Sequence, residues 1–330
     1  MSSTELIQLI EHDKIKLLNA AHFNIDFTLN ELRQLTNALM TNTSIEAIEL
    51  ENTNIDSSIW HLLSDSLTFN NSVKSFQLSN TKNLEDNLSA LEDIINFSTS
   101  IEELSISNHE NGNDIITSLS PIIIKNTKLK KLVLTNNNLK NSGIESISDI
   151  IKANEVMTDI NISHQKINGK FLKDVSESLQ TNKSLTSLSL NNNQLDHTAL
   201  NNLISGLVTN TCLTTLNLTH NNLSYLKTQP LVELLRTTNI LENINISNNE
   251  LDPYFAAEFS KIFELNPQIK WLDLSHNDLG DLGVTMIARY ASTLDSLTTL
   301  NLTNNHVTAL GIYMVDEALK SVGKPDDFYI

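Results

Sequence analysis

The sequence predicts an α/β solenoid, a stack of short units that each contribute one strand and one helix. Three observations carry the prediction. A pattern recurs every 28 residues, with units opening at Ile45, Val73, Ile101, Leu129, Met157, Leu185, Leu213, Leu241, Ile269 and Leu297 and no insertion between them. Inside each unit the apolar spacing switches from 2 to about 3.6, from a strand period to a helix period. Asparagine supplies 44 of the 330 residues and falls at fixed places in the unit.

Counting from 1 in each unit, positions 4 and 6 are apolar, as for a strand with one buried face; Leu188 and Leu190 are an example. Positions 16, 19 and 22 or 23 are apolar at helical spacing, as in Ile116, Leu119 and Ile123, in Ile144, Ile147 and Ile151, and in Leu200, Leu203 and Leu207. No unit can bury both faces alone, so stability comes from its neighbours and both ends need caps. Position 9 is Asn137, Asn193, Asn221, Asn249, Asn277 and Asn305, where a buried amide is expected to bond backbone groups of its own and the next unit. Earlier units carry Thr53, Thr81, His109 and Gln165 there. Position 26 is Asn42, Asn70, Asn126, Asn154, Asn182, Asn210 and Asn266, expected to end each helix in the left-handed conformation in place of glycine. Residues 1–44 read as an N-terminal cap with a degenerate repeat: Leu29–Leu39 fits the helical half, and Phe23, Ile25 and Phe27 are expected to cover the first unit. Residues 45–321 hold the ten repeats, and 322–330 are expected to be a C-terminal tail or cap.

Leu185-Thr-Ser-Leu188-Ser-Leu190-Asn-Asn-Asn193-Gln-Leu195 follows L-x-x-L-x-L-x-x-N-x-L, as do Leu129–Leu139 and Ile269–Leu279. This resembles the leucine-rich repeat family, and the 28-residue period resembles its ribonuclease-inhibitor-like subclass. The resemblance implies a curved horseshoe with the parallel sheet on the concave face and helices on the convex face. It also implies that the concave face binds a protein partner.

Composition narrows the function. Lys and Arg number 22 against 39 Asp and Glu, a formal charge of −17, which argues against nucleic acid. The charge splits as −11 over residues 1–128, +2 over 129–240 and −8 over 241–330. Two acidic flanks point to a protein partner with basic surface, steered by charge and weakened by salt; solubility alone is the other explanation. The single cysteine, Cys212, excludes a disulfide framework and falls in a turn between units. Eight glycines leave little for phosphate-binding loops. No catalytic motif is present, so no enzyme activity and no cofactor are expected. His164, His220 and His276 share position 8 two units apart, about 10 Å at a strand spacing of about 4.8 Å, too far to share a metal ion, and no metal is expected. The N-terminus has no leader-like pattern and no apolar run could span a bilayer, so a cytoplasmic monomer without membrane contact is expected.

Positions 3 and 5, on the open face, are mostly small and polar. Trp271 at position 3 is the exception, expected beside Asn243 and Thr299 and two residues from Asp273. With His276, Asp278, Asn245, Asn301, and Tyr225 and Tyr254 on the loop edge, it forms a candidate concave binding patch. Trp60, at position 16, is expected in the core. Asn161, Asn217, Asn245 and Asn301 each begin N-x-[ST] at position 5, where glycans would block the open face, which argues against the secretory pathway.

The expected function is a non-catalytic protein–protein interaction scaffold. About 45–50 Å of sheet from ten strands suffices for a standard interface. Stand-alone repeats of this kind, with an Asn-, Ile- and Lys-rich composition, are similar to virulence effectors of intracellular bacteria of the Legionella type, which act in the host cytosol. Their type IV secretion signals are C-terminal, and Asp326-Asp327-Phe328-Tyr329-Ile330 is compatible with one. The alternatives are a GTPase-activating protein, resembling the leucine-rich repeat activator of the nuclear-transport GTPase, and a wrap-around enzyme inhibitor. The activator would draw on Arg33, Arg236 or Arg289, of which Arg236 and Arg289 fall at outer helix positions.

Overall fold

The computed structural model describes residues 2–24, 27–167, 169–320 and 327–330, without the side chain of residue 170. The chain forms two compact units, Met1–Asn161 and Ile162–Ile330. The first runs α1 (Ser3–Glu11), β1 (Leu17–Asn19), α2 (Ala20–Phe23), α3 (Leu29–Thr41), β2 (Ala47–Glu51), α4 (Ser57–Leu67), β3 (Ser75–Ser79), α5 (Leu88–Phe97), β4 (Glu103–Ser107), α6 (Gly112–Lys125), β5 (Lys131–Thr135), α7 (Asn141–Ala153) and β6 (Asp159–Asn161). The second runs α8 (Gly169–Thr181), β7 (Ser187–Ser189), α9 (His197–Leu207), β8 (Thr215–Asn217), α10 (Tyr225–Thr237), β9 (Asn243–Asn245), α11 (Pro253–Phe259), β10 (Trp271–Asp273), α12 (Gly280–Ala291), β11 (Thr299–Asn301), α13 (Ala309–Leu319) and β12 (Asp327–Tyr329).

Within each unit the strands are parallel and adjacent in chain order, and the pairing register is the repeat itself. Phe76 faces Leu104 in the first unit and Leu216 faces Ile244 in the second, each 28 residues on. The fold class is therefore the α/β leucine-rich repeat solenoid that the periodicity predicts. Positions 4 and 6 point into the core: Leu188, Leu190, Leu216 and Leu218 have no exposed surface. The helical rows close it from the other side, with Leu200, Leu203 and Leu207 fully covered. Ile144 is only half-buried, while Ile147 and Ile151 are core. Trp60 is buried edge-on against Phe76, its ring centroid 6.4 Å away.

The left-handed conformation falls elsewhere than expected. Asn42, Asn126 and Asn154 at position 26 are extended, with φ of −62°, −69° and −82°. Position 8 is left-handed in all ten repeats: Asn52, Asn80, Asn108, Asn136, His164, Asn192, His220, Asn248, His276 and Asn304 have φ between 47° and 60°, and position 10 joins it at Asn138, Lys166, Gln194, Asn222 and His306. Asn and His are among the non-glycine residues that best tolerate that region. The three aligned histidines thus fill a backbone requirement.

Both ends differ from the sequence reading. Helix α1 was not anticipated, yet its start is well specified: the Ser2 hydroxyl accepts from the Glu5 amide, and the Glu5 carboxylate accepts from the Ser2 amide. The degenerate repeat also supplies a strand: Leu17–Asn19 pairs with β2 through Leu18 opposite Ile48. Phe23 is buried and Phe27 half-buried; Ile25 lies outside the described residues. At the other end, Asp327–Tyr329 is a strand continuing the 28-residue register, with Phe328 opposite Leu300. The rest of the expected tail, 322–326, lies outside the described residues. Among the described residues no helix is long and apolar enough to cross a membrane.

Candidate protein-interaction site

Two rows of asparagine hold the scaffold beneath the site. At position 9 the side chain is buried and fully engaged. Asn221 Nδ2 donates to the Leu190, Leu218 and Thr219 carbonyls (3.0, 2.9 and 3.2 Å), and its Oδ1 accepts from the Asn193 and Leu195 amides (2.9 and 3.3 Å). Asn249 and Asn277 repeat the arrangement, and Asn193 and Asn305 donate to the same two carbonyl positions. The neighbour served is the preceding repeat, not the next one. Asn137 likewise accepts from His109 N and donates to Ile106 O. Where asparagine is missing, other groups cover part of the pattern. Thr81 Oγ1 donates to Leu50 O at 2.7 Å, and buried His109 accepts from Thr81 N through Nε2 at 3.2 Å. Burial holds the His109 imidazole below its ordinary value, opposed chiefly by the Glu85 carboxylate.

The second row is position 26, which works through its amide and not its backbone. Asn70 Nδ2 donates to Leu39 O, at the end of the preceding helix, and to Asn42 O. Its Oδ1 accepts from the Ser72 and Val73 amides that lead into β3. Asn42, Asn126, Asn154 and Asn210 repeat this geometry. The residue thus ties a helix end, a turn and the next strand together.

On this frame the candidate residues fall into three groups. Trp271, Asp273, Asn245 and Asn301 share the open face of the second unit's sheet: Trp271 lies between Asn243 and Thr299, and Asp273 between Asn245 and Asn301. The position-5 side chains are already partnered. Asp273 Oδ1 accepts from the Ser275 amide and hydroxyl (2.9 and 2.6 Å), Asn245 from those of Ser247, and Asn301 from those of Thr303. His276 and Asp278 sit past the strand end, exposed; His276 Nε2 lies 3.0 Å from Asn304 Nδ2, and Asp278 lies 3.1 Å from His306 Nε2. Tyr225 and Tyr254 form a third group, paired with each other at 6.4 Å between ring centroids at the starts of α10 and α11.

Sequence reasoning missed two features here. Tyr329 reaches the open face beside Asn301 because β12 extends the sheet, and it is half exposed. Leu226, Leu282 and Leu310 fall at the same position as Tyr254, position 14, and all four are exposed. The signal was an apolar residue at that position in four successive repeats.

Among the described residues, no group of three or more His, Cys, Asp or Glu side chains could hold a metal ion. Arg236 is clamped by Glu258 at 2.7 Å on the helical side, and Lys261 joins the same carboxylate. Hydrogen bonds from Lys261 and then Arg236 hold Glu258 below its ordinary value.

A family model described as a leucine-rich repeat matches residues 125–148, 209–225, 266–288 and 294–315. The matched segments cover about a quarter of the chain and agree with the repeating strand–helix geometry of a leucine-rich repeat fold. Among solved structures, a Caenorhabditis elegans tropomodulin C-terminal domain is similar at 17% identity, covering 46% of this chain and 91% of its own, with a TM-score of 0.38. A structure of leiomodin-1 actin-binding site 2 is similar at 17% identity, covering 54% and 87%, with a TM-score of 0.30. Likeness at that level carries no argument about partners. No curated protein matches the chain significantly.

Proposed function

We propose that this leucine-rich repeat chain is a non-catalytic scaffold that binds a protein through the open sheet face of its second unit, with Trp271 as the anchor. One observation carries the reading: a half-buried tryptophan stands in a wall of small polar residues, one strand from Thr299 and two residues from Asp273. Binding hot spots favour such a residue, ringed by polar groups that exclude water. Tyr329, on the same face beside Asn301, extends the surface. The net −8 over residues 241–330 favours a partner with basic surface. The test is co-purification of partners from host lysate with wild type and with Trp271→Ala plus Asp273→Ala. Loss of a specific partner in the double variant supports the reading; retention of every partner removes it.

The finer reading, an effector acting in a host cytosol, rests on the sequence resemblance and composition. It is tested by fusion to a translocation reporter with and without residues 311–330. If both fusions stay in the donor cell, the reading fails. A GTPase-activating role would need a free arginine, and the Glu258 clamp on Arg236 weighs against that residue. Stimulated hydrolysis in a single-turnover assay across a GTPase panel would restore that role. A wrap-around inhibitor differs from the scaffold only in what its partner loses on binding.

A further inference from the structure

The second unit carries another surface, on a different edge. Position 14 falls in the first turn of the helices α10 to α13 of the last four repeats. In the first six repeats the sequence places Ser58, Asp86, Asp114, Ser142, Lys170 and Thr198 there. In the last four it places Leu226, Tyr254, Leu282 and Leu310, which are 71%, 74%, 64% and 64% exposed. A single exposed leucine needs no explanation, but four in register at the starts of consecutive packed helices do. Neighbouring helices lie about 8–10 Å apart, so the row is on the order of 30 Å long. The Tyr225–Tyr254 ring contact shows that side chains at these helix starts reach across one repeat to the next. Apolar patches of roughly 300–600 Å² are often functional on monomers.

The charges around the row are mostly acidic. Glu250 and Asp278 stand at position 10, and Asp252 and Asp281 open helices α11 and α12 beside the strip. Asp252 caps the Phe255 amide, and Asp281 accepts from the Thr308 amide and hydroxyl, which fixes both carboxylates along the edge. The adjacent cations are fewer: Lys227, whose charged amine is turned to the Asn222 carbonyl, and His306, which lies beside Asp278. An acidic rim repels both a second copy of the chain and an anionic membrane. It complements a segment with an apolar stripe and basic flanks.

We propose that Leu226, Tyr254, Leu282 and Leu310 form a docking strip for a basic amphipathic segment of a protein partner, separate from the open sheet face. A random peptide library is panned on the full chain, and recovered peptides are measured by fluorescence polarisation against wild type and L226S/Y254S/L282S/L310S. The expected winners carry apolar residues at helical spacing with Lys or Arg beside them. Their affinity falls at least about tenfold, about 1.4 kcal/mol, in the quadruple variant, and salt weakens them. The double change at Trp271 and Asp273 leaves them bound, which separates failure of this strip from failure of the sheet-face site. The four side chains are solvent-exposed, so the variant's thermal midpoint is expected within a few degrees of wild type, and circular dichroism checks it. Three outcomes overturn the proposal: no such peptide recovered, winners equally tight on the quadruple variant, or winners acidic or without an apolar stripe. So does a wild-type dimer, or binding to anionic phosphatidylserine vesicles, that the quadruple variant abolishes.

Discussion

The two units build the same repeat with strands of different length. Strands β2 to β5 run from position 3 to position 7, whereas β7 to β11 stop at position 5. Position 5 follows the difference, serine excepted. In the five-residue strands it is Glu49, Gln77, Ser105 and Val133; in the three-residue strands it is Asn161 at the end of the first unit and, in the second, Ser189, Asn217, Asn245, Asp273 and Asn301. The short Asn or Asp side chain accepts from the backbone amide two residues on, as Asn217 does from Thr219 at 3.0 Å. That closes an Asx turn and takes position 7 out of the strand. In the second unit position 9 is asparagine from Asn193 onward, with Gln165 before it, while the first has Asn137 alone and uses Thr81 and His109 to cover part of the pattern. Regularity in the second unit comes from local side-chain bonds, and pairing extends further in the first where those bonds are absent.

The largest test of this contrast lies in the position-9 row. Asn221→Ala strips five hydrogen bonds from a fully buried site, leaving backbone groups of two repeats unpaired. At about 1–3 kcal/mol per orphaned group, a loss of at least about 3 kcal/mol is expected in urea unfolding. Thr81→Ala removes one such bond and should cost about 1–2 kcal/mol. Equal losses would erase the distinction between the units.

His109→Asn should stabilise the first unit, by about 1 kcal/mol, through restoring an amide that both accepts and donates. It should also flatten a pH dependence. Burial lowers the His109 pKa, so the unfolded chain binds the proton first and wild-type stability falls as pH drops below about 6.5. Stability curves of the two proteins between neutral pH and pH 5 should therefore diverge; parallel curves would refute the assignment.

Asn217→Val asks whether position 5 alone sets strand length. The change faces solvent and should cost no more than about 0.5 kcal/mol. Slower hydrogen exchange at Thr219 would report a strand extended to position 7.

The mildest effect is expected at the cap. Ser3 and then Thr28 hydrogen bonds hold Glu31 at about 2, against an ordinary 4.5. Its stabilising effect is complete above about 4.5 and lost as pH falls through about 2. Protection of α1 and α3 amides, relative to the intrinsic exchange rate at each pH, should fall over that range, and Glu31→Gln should abolish that fall.

The period, the strand and helix faces and the buried Trp60 were legible because each is written in apolar spacing. Backbone conformation was less so: Asn is common at both position 8 and position 26, and composition does not say which acts through φ and which through its amide. The histidines at position 8 were the clue, since His shares with Asn a tolerance of the left-handed region. Helix α1 lies outside the 28-residue period, and its one local signal is the Ser2-to-Glu5 capping box. Strand β12 was hidden because a three-residue strand has too little sequence to show a period. At the candidate site, alignment by repeat placed Trp271, Asp273, Asn245 and Asn301 on one face. It put Tyr225 and Tyr254 on the loop edge but joined them to the same patch, because position numbers give order along the unit and not the distance between side chains.

Both asparagine rows look backwards along the chain. Asn221 completes the hydrogen bonding of the repeat that ends before it, as Asn70 completes the helix end at Leu39. A duplicated 28-residue block therefore arrives carrying what its predecessor needs, whatever follows it. Lengthening such an array by whole-repeat duplication costs little at the upstream junction. Deleting the last repeat leaves the one before it with carbonyls and amides that nothing answers, so the array is easier to extend in evolution than to trim.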